Sequence, residues 1–213
     1  MISILLPTRK RPEKLQRLVT SLRETSSVFP EIVVYIDDDD IESAEKAKTL
    51  DIKYIIGPKL VFSDYWNKCY EQCVGDILMM AADDVIFKTP GWDVMVEEEF
   101  AKWPDKIVLV HGNDIGNDLQ IASYPFLHRR WAEVVGYFSP PYFVSGGCDV
   151  WINAVAKFVN RRQGAPFFLE QINAIKHDVI IKYSEQYINL FEKRLADCAK
   201  LQEEIDQHAG VLQ

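Results

Sequence analysis

Three short polar clusters in this chain carry residue types suited to holding a phosphorylated ligand. Asp83 and Asp84 stand side by side directly after the apolar run Ile77-Leu78-Met79-Met80. Neighbouring carboxylates repel each other unless a cation or a basic group relieves the charge. A hard divalent ion does so while also accepting phosphate oxygens, which suits a diphosphate leaving group. A solvated acidic turn is the plain alternative. Asp37-Asp38-Asp39-Asp40 follows a second apolar run. It reads either as the cap of a helix beginning near Glu42 or as the source of a carboxylate that accepts hydrogen bonds from a ribose or base. The third cluster, Pro7-Thr8-Arg9-Lys10-Arg11, supplies a hydroxyl and cationic groups.

These clusters need elements that bring them to one place. Residues 2–6 form a short apolar run ended by Pro7, which suits a buried strand. Pro12 sits where a first-turn proline is tolerated, and Leu15, Leu18, Val19 and Leu22 then mark one helical face. A β-branched run over 32–36 predicts a second strand, 42–50 a short helix, and 53–56 a third strand closed by Gly57-Pro58. Phe62, Trp66, Cys69, Tyr70 and Cys73 make another helical stripe, which ends at Gly75 before a strand over 77–80. Strands alternating with helices predict an α/β fold whose mainly parallel sheet is covered on both faces. Ligands of such sheets bind beyond the carboxyl ends of the strands. All three clusters fall there, on neighbouring strands about 5 Å apart.

The second half is less regular. Its spacing predicts a helix over 93–103 after Pro90-Gly91, a strand over 107–110 and a loop over 112–122 rich in Gly, Asn and Asp. A helix over 130–135, Pro140-Pro141, a helix over 149–162 and an extended segment over 167–176 follow. Asp149 is an N-cap candidate by position, and His177 by itself reads as a structural histidine. Trp131 and Trp151 read as buried aromatics or as stacking partners for a sugar or base. A long helix over about 182–208 carries Ile188, Phe191, Leu195, Cys198 and Ile205 near a 3-4 spacing. It packs back on the domain or, as a second reading, forms a homo-oligomer contact.

The 213 residues, 48% of them hydrophobic, suffice for one well-buried core. A net charge of −8 argues against a general polyanion binder, and Arg129-Arg130 and Arg161-Arg162 read as solvated faces. No stretch approaches the about 20 apolar residues of a membrane span. The basic residues follow the N-terminal apolar run, the reverse of signal-peptide order. The expectation is a cytoplasmic protein whose Cys69, Cys73, Cys148 and Cys198 are reduced.

Ile4-Leu5-Leu6-Pro7-Thr8-Arg9-Lys10-Arg11-Pro12 resembles the opening strand and turn of family-two-like GT-A glycosyltransferases. Asp37-Asp38 is similar to the acidic end of their second strand. Gly75-Asp76 with the strand into Ala81-Ala82-Asp83-Asp84 looks like their Gly-Asp, strand, Asp-Ala-Asp-Asp metal motif. Ser145-Gly146-Gly147-Cys148-Asp149 is similar to their Gly-Gly-x-Asp segment, and His177-Asp178 lies where some members carry a histidine that reaches the metal or diphosphate. One departure stands out: Ala81 occupies the place of the motif's first Asp.

The resemblance implies a Rossmann-like GT-A domain over 1–181, with a nucleotide-binding half over 1–88 and an acceptor-side half over 89–181, and a C-terminal helix over 182–213. It implies a metal-dependent hexosyl- or pentosyltransferase that uses a nucleotide sugar, UDP-linked by default. Mn²⁺ or Mg²⁺ is then held by Asp83, Asp84 and His177. The donor nucleotide is contacted by Pro7, Thr8, Arg9, Arg11, Asp37, Asp38 and Asp83, and Asp149 is the catalytic base of an inverting single displacement. A saccharide is the first acceptor class and a modified nucleic-acid base the second. The competing expectations are a nucleotidyltransferase with a similar sheet and a non-catalytic nucleotide-sugar-binding module.

Overall fold

The computed structural model describes residues 1–115, 121–172 and 190–211. The first half runs β1 (Ile2–Thr8), α1 (Pro12–Thr25), β2 (Glu31–Asp37), α2 (Ile41–Thr49), β3 (Lys53–Gly57), α3 (Asp64–Gln72) and β4 (Ile77–Met80). Each element stands where apolar periodicity predicts it. The second half adds β5 (Val85–Phe87), α4 (Trp92–Ala101), β6 (Leu109–Ile115), β7 (Phe126–His128), α5 (Arg129–Val135), α6 (Cys148–Phe158), β8 (Arg162–Gln171) and α7 (Phe191–Val211).

Among the described residues the strands form one sheet in the order β3-β2-β1-β4-β7-β6-β8-β5. The β3-β2-β1-β4 block is parallel throughout. Beyond it β7 runs antiparallel to both β4 and β6, β6 and β8 are parallel, and β5 is antiparallel to β8. β1, β2 and β4 are buried on both faces, which explains why they read as unbroken apolar runs, whereas β8 alternates buried and exposed residues. Ile2, Ile4 and Leu6 of β1 face one core with Leu15, Leu18, Val19 and Leu22 of α1. Leu5 faces the other core with Trp66 and Cys69 of α3. The period of two along each strand delivers this division.

Several expectations change in the second half. β5 and β7 have three residues each, too short to show a period, and composition does not reveal them. The loop expected over 112–122 is strand as far as Ile115, paired with β8 through an irregularity between His111 and Asn113; residues 116–120 lie outside the described ones. Glycine serves a strand here because a Cβ on Gly112 would come within 2.3 Å of the Phe167 ring. The helix expected over 149–162 ends at Phe158: Asn160 turns into the left-handed region at φ 54, and Arg162 begins β8. β8 therefore starts earlier than residue 167 and ends at Gln171; residues 173–176 of the expected extended segment lie outside the described ones.

α7 packs back on the domain. Cys198, Leu201 and Ile205 are buried in the core formed with α5 and α6, while Phe191 and Leu195 are exposed. Residues 182–189, with Ile188, fall outside the described residues. No described helix is long and apolar enough to cross a membrane.

Gly112→Ala is expected to destabilise the fold by about 1–3 kcal/mol, because the Phe167 ring behind it is fully buried and has no room to move. Denaturant unfolding measures this; a change near zero would mean that residue 112 is not flush against the sheet.

Candidate active site

The parallel register brings the ends of β1, β2 and β4 to the same edge, with Thr8 opposite Ile36 and Leu5 opposite Met80. Asp83 and Asp84 form the turn between β4 and β5. Trp66 Nε1 pins that turn by donating to the Ala81 carbonyl at 3.0 Å. The Asp83 side chain is fully enclosed. Its Oδ2 accepts from Thr8 Oγ1 at 2.6 Å and pairs with Arg11 Nε at 3.0 Å. Burial pushes its carboxyl above the usual range, and Thr8 and Arg11 pull in the opposite direction. Lys14 Nζ lies 3.7 Å from Asp84 Oδ2. Basic groups thus relieve the repulsion that the paired carboxylates carry.

Each of these carboxylates keeps its other oxygen in reserve. Asp83 Oδ1 and Asp84 Oδ1 are buried without a hydrogen-bond partner among the described residues. An orphaned anionic oxygen is costly unless something binds it. Mg²⁺ and similar hard ions are held by one or two carboxylates, with phosphates and water completing the shell. The two oxygens fit such an ion, although no group of three or more protein ligands gathers among the described residues. His177 lies outside the described residues. Ile172, just after β8, donates its N–H to the Asp84 carbonyl at 2.8 Å, which ties the end of β8 to this turn.

At the end of β2 the four aspartates divide their labour. Asp40 caps α2 by accepting from Ser43 N at 3.1 Å, and its other oxygen takes the Lys10 N–H. Asp37 is buried, accepts from Tyr65 Oη at 2.9 Å and pairs with Arg9. Arg9 also reaches Asp39 at 2.7 Å, whereas the side chain of Asp38 is exposed. The capping reading therefore holds for Asp40, while Asp37 faces the cationic turn after β1. Tyr65 lies outside the apolar stripe of α3, so periodicity does not point to it.

Asp149 lies in the first turn of α6, and the N-cap is Gly147 at φ 90, so the capping position expected for Asp149 is taken by glycine. Gly147 is required there, since a Cβ would also meet the Phe143 ring at 3.0 Å. Burial pushes the Asp149 carboxyl up to about 6, against the pull of the backbone N–H groups of Val150 and of Asp149 itself. Tyr124 connects this residue to the rest of the site. Its buried phenol is pushed up first by desolvation and then by the charges of Asp84, Asp114, Asp149 and Asp83. The charges of the acidic turn, of β6 and of α6 are thus all felt at this one phenol. Composition reveals neither Tyr124 nor Asp114: Asp114 lies inside, and Tyr124 just after, the stretch over 112–122 that reads as loop.

Other candidates turn out to be structural. Trp131 and Trp151 are buried, which removes them as exposed stacking surfaces. Arg129 donates to the carbonyls of Cys73 and Gly75, Arg130 pairs with Glu204, and Arg161 pairs with Asp105 while lying over the Trp103 ring. Arg129 and Arg161 are thus tied into the fold rather than forming solvated faces, while Arg130 keeps much of its side chain in solvent. All four cysteines are buried free thiols.

The profile of the family described as "Glycosyl transferase family 2" matches residues 3–136. Among solved structures the fold is similar to glucosyl-3-phosphoglycerate synthase from Mycobacterium tuberculosis in complex with Mn²⁺, UDP-glucose and phosphoglyceric acid. The TM-score is 0.65 at 13% identity, covering 93% of this chain and 80% of that one. It is also similar to S. aureus TarS 1-349, with a TM-score of 0.62 at 10% identity over 96% of this chain and 70% of that one. The complex of the same protein with UDP-GlcNAc gives 0.59 at 12% identity, covering 82% and 59%. No curated protein sequence matches the chain.

Thr8→Val removes a donor to a buried carboxylate and is expected to cost about 1–3 kcal/mol at neutral pH. The hydroxyl favours ionised Asp83, so its contribution is present at high pH and is lost as pH falls and Asp83 takes up a proton. Denaturation across pH checks this: a cost that does not shrink on acidification would contradict the pairing.

Proposed function

The chain belongs to glycosyl transferase family 2, and on that premise we propose that it transfers a sugar from a nucleoside-diphosphate sugar to an acceptor hydroxyl. The observation that carries this reading is the meeting of a cationic turn after β1 with two carboxylates, each of which keeps a buried oxygen free. UDP is the preferred nucleotide, a choice supported by the UDP-sugar complexes of the similar structures. A saccharide is the first acceptor class and a modified nucleic-acid base the second.

Pro7, Thr8, Asp37 and Asp38 contact the nucleoside in this proposal. Arg9 and Arg11 are part-exposed, and a guanidinium has five N–H donors, so each can reach a diphosphate while staying paired with its carboxylate. Asp83 and Asp84, with His177, hold Mn²⁺ or Mg²⁺, and Thr8 and Arg11 keep Asp83 in place. When bound, such an ion offsets the negative charge that builds on the departing nucleoside diphosphate.

Asp149 takes the proton of the acceptor hydroxyl as that oxygen attacks the anomeric carbon. A carboxyl titrating at about 6 is ionised at neutral pH yet more basic than an ordinary aspartate, which suits a general base. One base on the acceptor side gives a single displacement with inversion. Ala81 is buried in the core and leaves the first motif position without a carboxylate, the feature that keeps a non-catalytic sugar-nucleotide binder as the second reading.

Replacing Asp83 and Asp84 together by Ala should abolish Mn²⁺-dependent binding of UDP, measured by calorimetry; unchanged affinity would overturn the metal assignment. Asp149→Asn should bind UDP normally and lose about 10²- to 10⁴-fold in turnover. The raised carboxyl stabilises the fold below its ordinary titration range and loses that contribution as pH rises through about 6. Asn is therefore expected to leave the fold at least as stable at neutral pH, which separates catalysis from folding. Turnover of the unmodified enzyme should fall as pH drops through about 6, when the base takes up a proton. A flat profile between pH 5 and 7 would remove Asp149 from that role.

A further inference from the structure

α7 contributes no strand to the sheet, yet one of its acidic residues reaches the element that carries Asp149. Asp197 is 3% exposed. Its Oδ2 accepts from Trp151 Nε1 at 3.0 Å and from the Tyr137 hydroxyl. Trp151 stands two residues after Asp149 in the first turn of α6, and its ring packs against Phe143 and Tyr142 at centroid distances of 5.8 and 5.1 Å. Burying a carboxylate against an aromatic wall is expensive, and an apolar residue would cover the same rings without that cost. What the carboxylate adds is direction: two donors from two segments converge on one oxygen.

The attachment of α7 does not depend on this residue alone. Arg130 Nε pairs with Glu204 at 3.0 Å, Lys200 Nζ donates to the Val135 carbonyl at 3.2 Å, and Lys193 lies over the Tyr142 ring at 4.6 Å. Cys198, Leu201 and Ile205 fill the apolar seam beneath. Asp197 is therefore free to serve a geometric purpose within an interface that others secure.

We propose that Asp197 is a positioning residue of the acceptor side: through Trp151 it fixes the first turn of α6 and so aims the Asp149 carboxylate. The proposal rests on the reading of Asp149 as the base. Among the described residues the Tyr124 phenol and the adjoining Cys148 thiol feel the charge of Asp149, so a change in its titration reports on this corner of the fold.

The test follows the Asp149 carboxyl by ¹³C NMR titration, assigned with Asp149→Asn, in the unmodified protein and in Asp197→Ala, Asp197→Asn and Trp151→Phe. Binding of UDP with Mn²⁺ and hydrolysis of UDP-glucose are measured alongside. Asp197→Ala and Trp151→Phe each loosen the turn and admit water. The Asp149 midpoint should then drop by about one unit toward the ordinary carboxylate range. Hydrolysis should fall about 10- to 100-fold while UDP affinity holds. Asp197→Asn keeps an oxygen that accepts both hydrogen bonds and should restore the unmodified midpoint and rate. An Asp149 midpoint that stays put in both Asp197→Ala and Trp151→Phe overturns the proposal. If Asp197→Ala does not fold, Trp151→Phe decides alone. If the unmodified protein fails to bind UDP or hydrolyse the sugar nucleotide, the proposed function fails, and the titration still judges the positioning.

Discussion

A buried carboxylate held between two strand ends organises this molecule. Asp83 leaves β4 at the edge where β1 ends, and Thr8 and Arg11 meet the same oxygen from the β1 side. That arrangement requires β1 and β4 to be adjacent and parallel, since an antiparallel neighbour would place its turn at the far edge. It also requires the turn to stay closed, because an unpaired aspartate buried this deeply would favour its protonated form. The cationic cluster and the acidic pair are thus complementary parts of one electrostatic unit. The oxygens left over on Asp83 and Asp84 are the surplus charge that a ligand or ion can use.

How much of this could be read from residues alone depended on periodicity. β1, β2, β3 and β4 are four to seven residues long and apolar on both faces, and helices with clean stripes separate them, so element type and order followed directly. Parallel pairing then followed from the alternation, and the convergence of the three clusters followed from the pairing. Asp83 and Asp84 were found because they interrupt an apolar run abruptly. Their relief by Arg11 and Lys14 was foreseeable only as a general need for positive charge.

The remainder was hidden for physical reasons. Three-residue strands such as β5 and β7 take their stability from neighbours distant in sequence and leave no local signature. Glycine and asparagine along β6 imitate loop composition, while Gly112 is small only because Phe167 lies against it. Tyr124 gains its significance from carboxylates on three separate segments, the 83–84 turn, β6 and α6, a property of the assembled fold. Asp149 looked like a helix cap because acidic residues favour helix starts, and only the backbone angles of Gly147 assign the cap elsewhere.

The strand order has a temporal side as well. β5 follows the acidic turn immediately, but its partner β8 is made much later: Phe168 donates its N–H to Thr89 across 79 residues, and Ile172 closes on the carbonyl of Asp84. A polypeptide emerging from the ribosome therefore presents β1 to β5 while the acidic turn still lacks the β-strand that closes beside it. Closing so long a loop is slow, because its entropic cost comes before the contacts that repay it. The carboxylate turn is thus made well before the strand that closes beside it, so its last backbone contacts wait for β8.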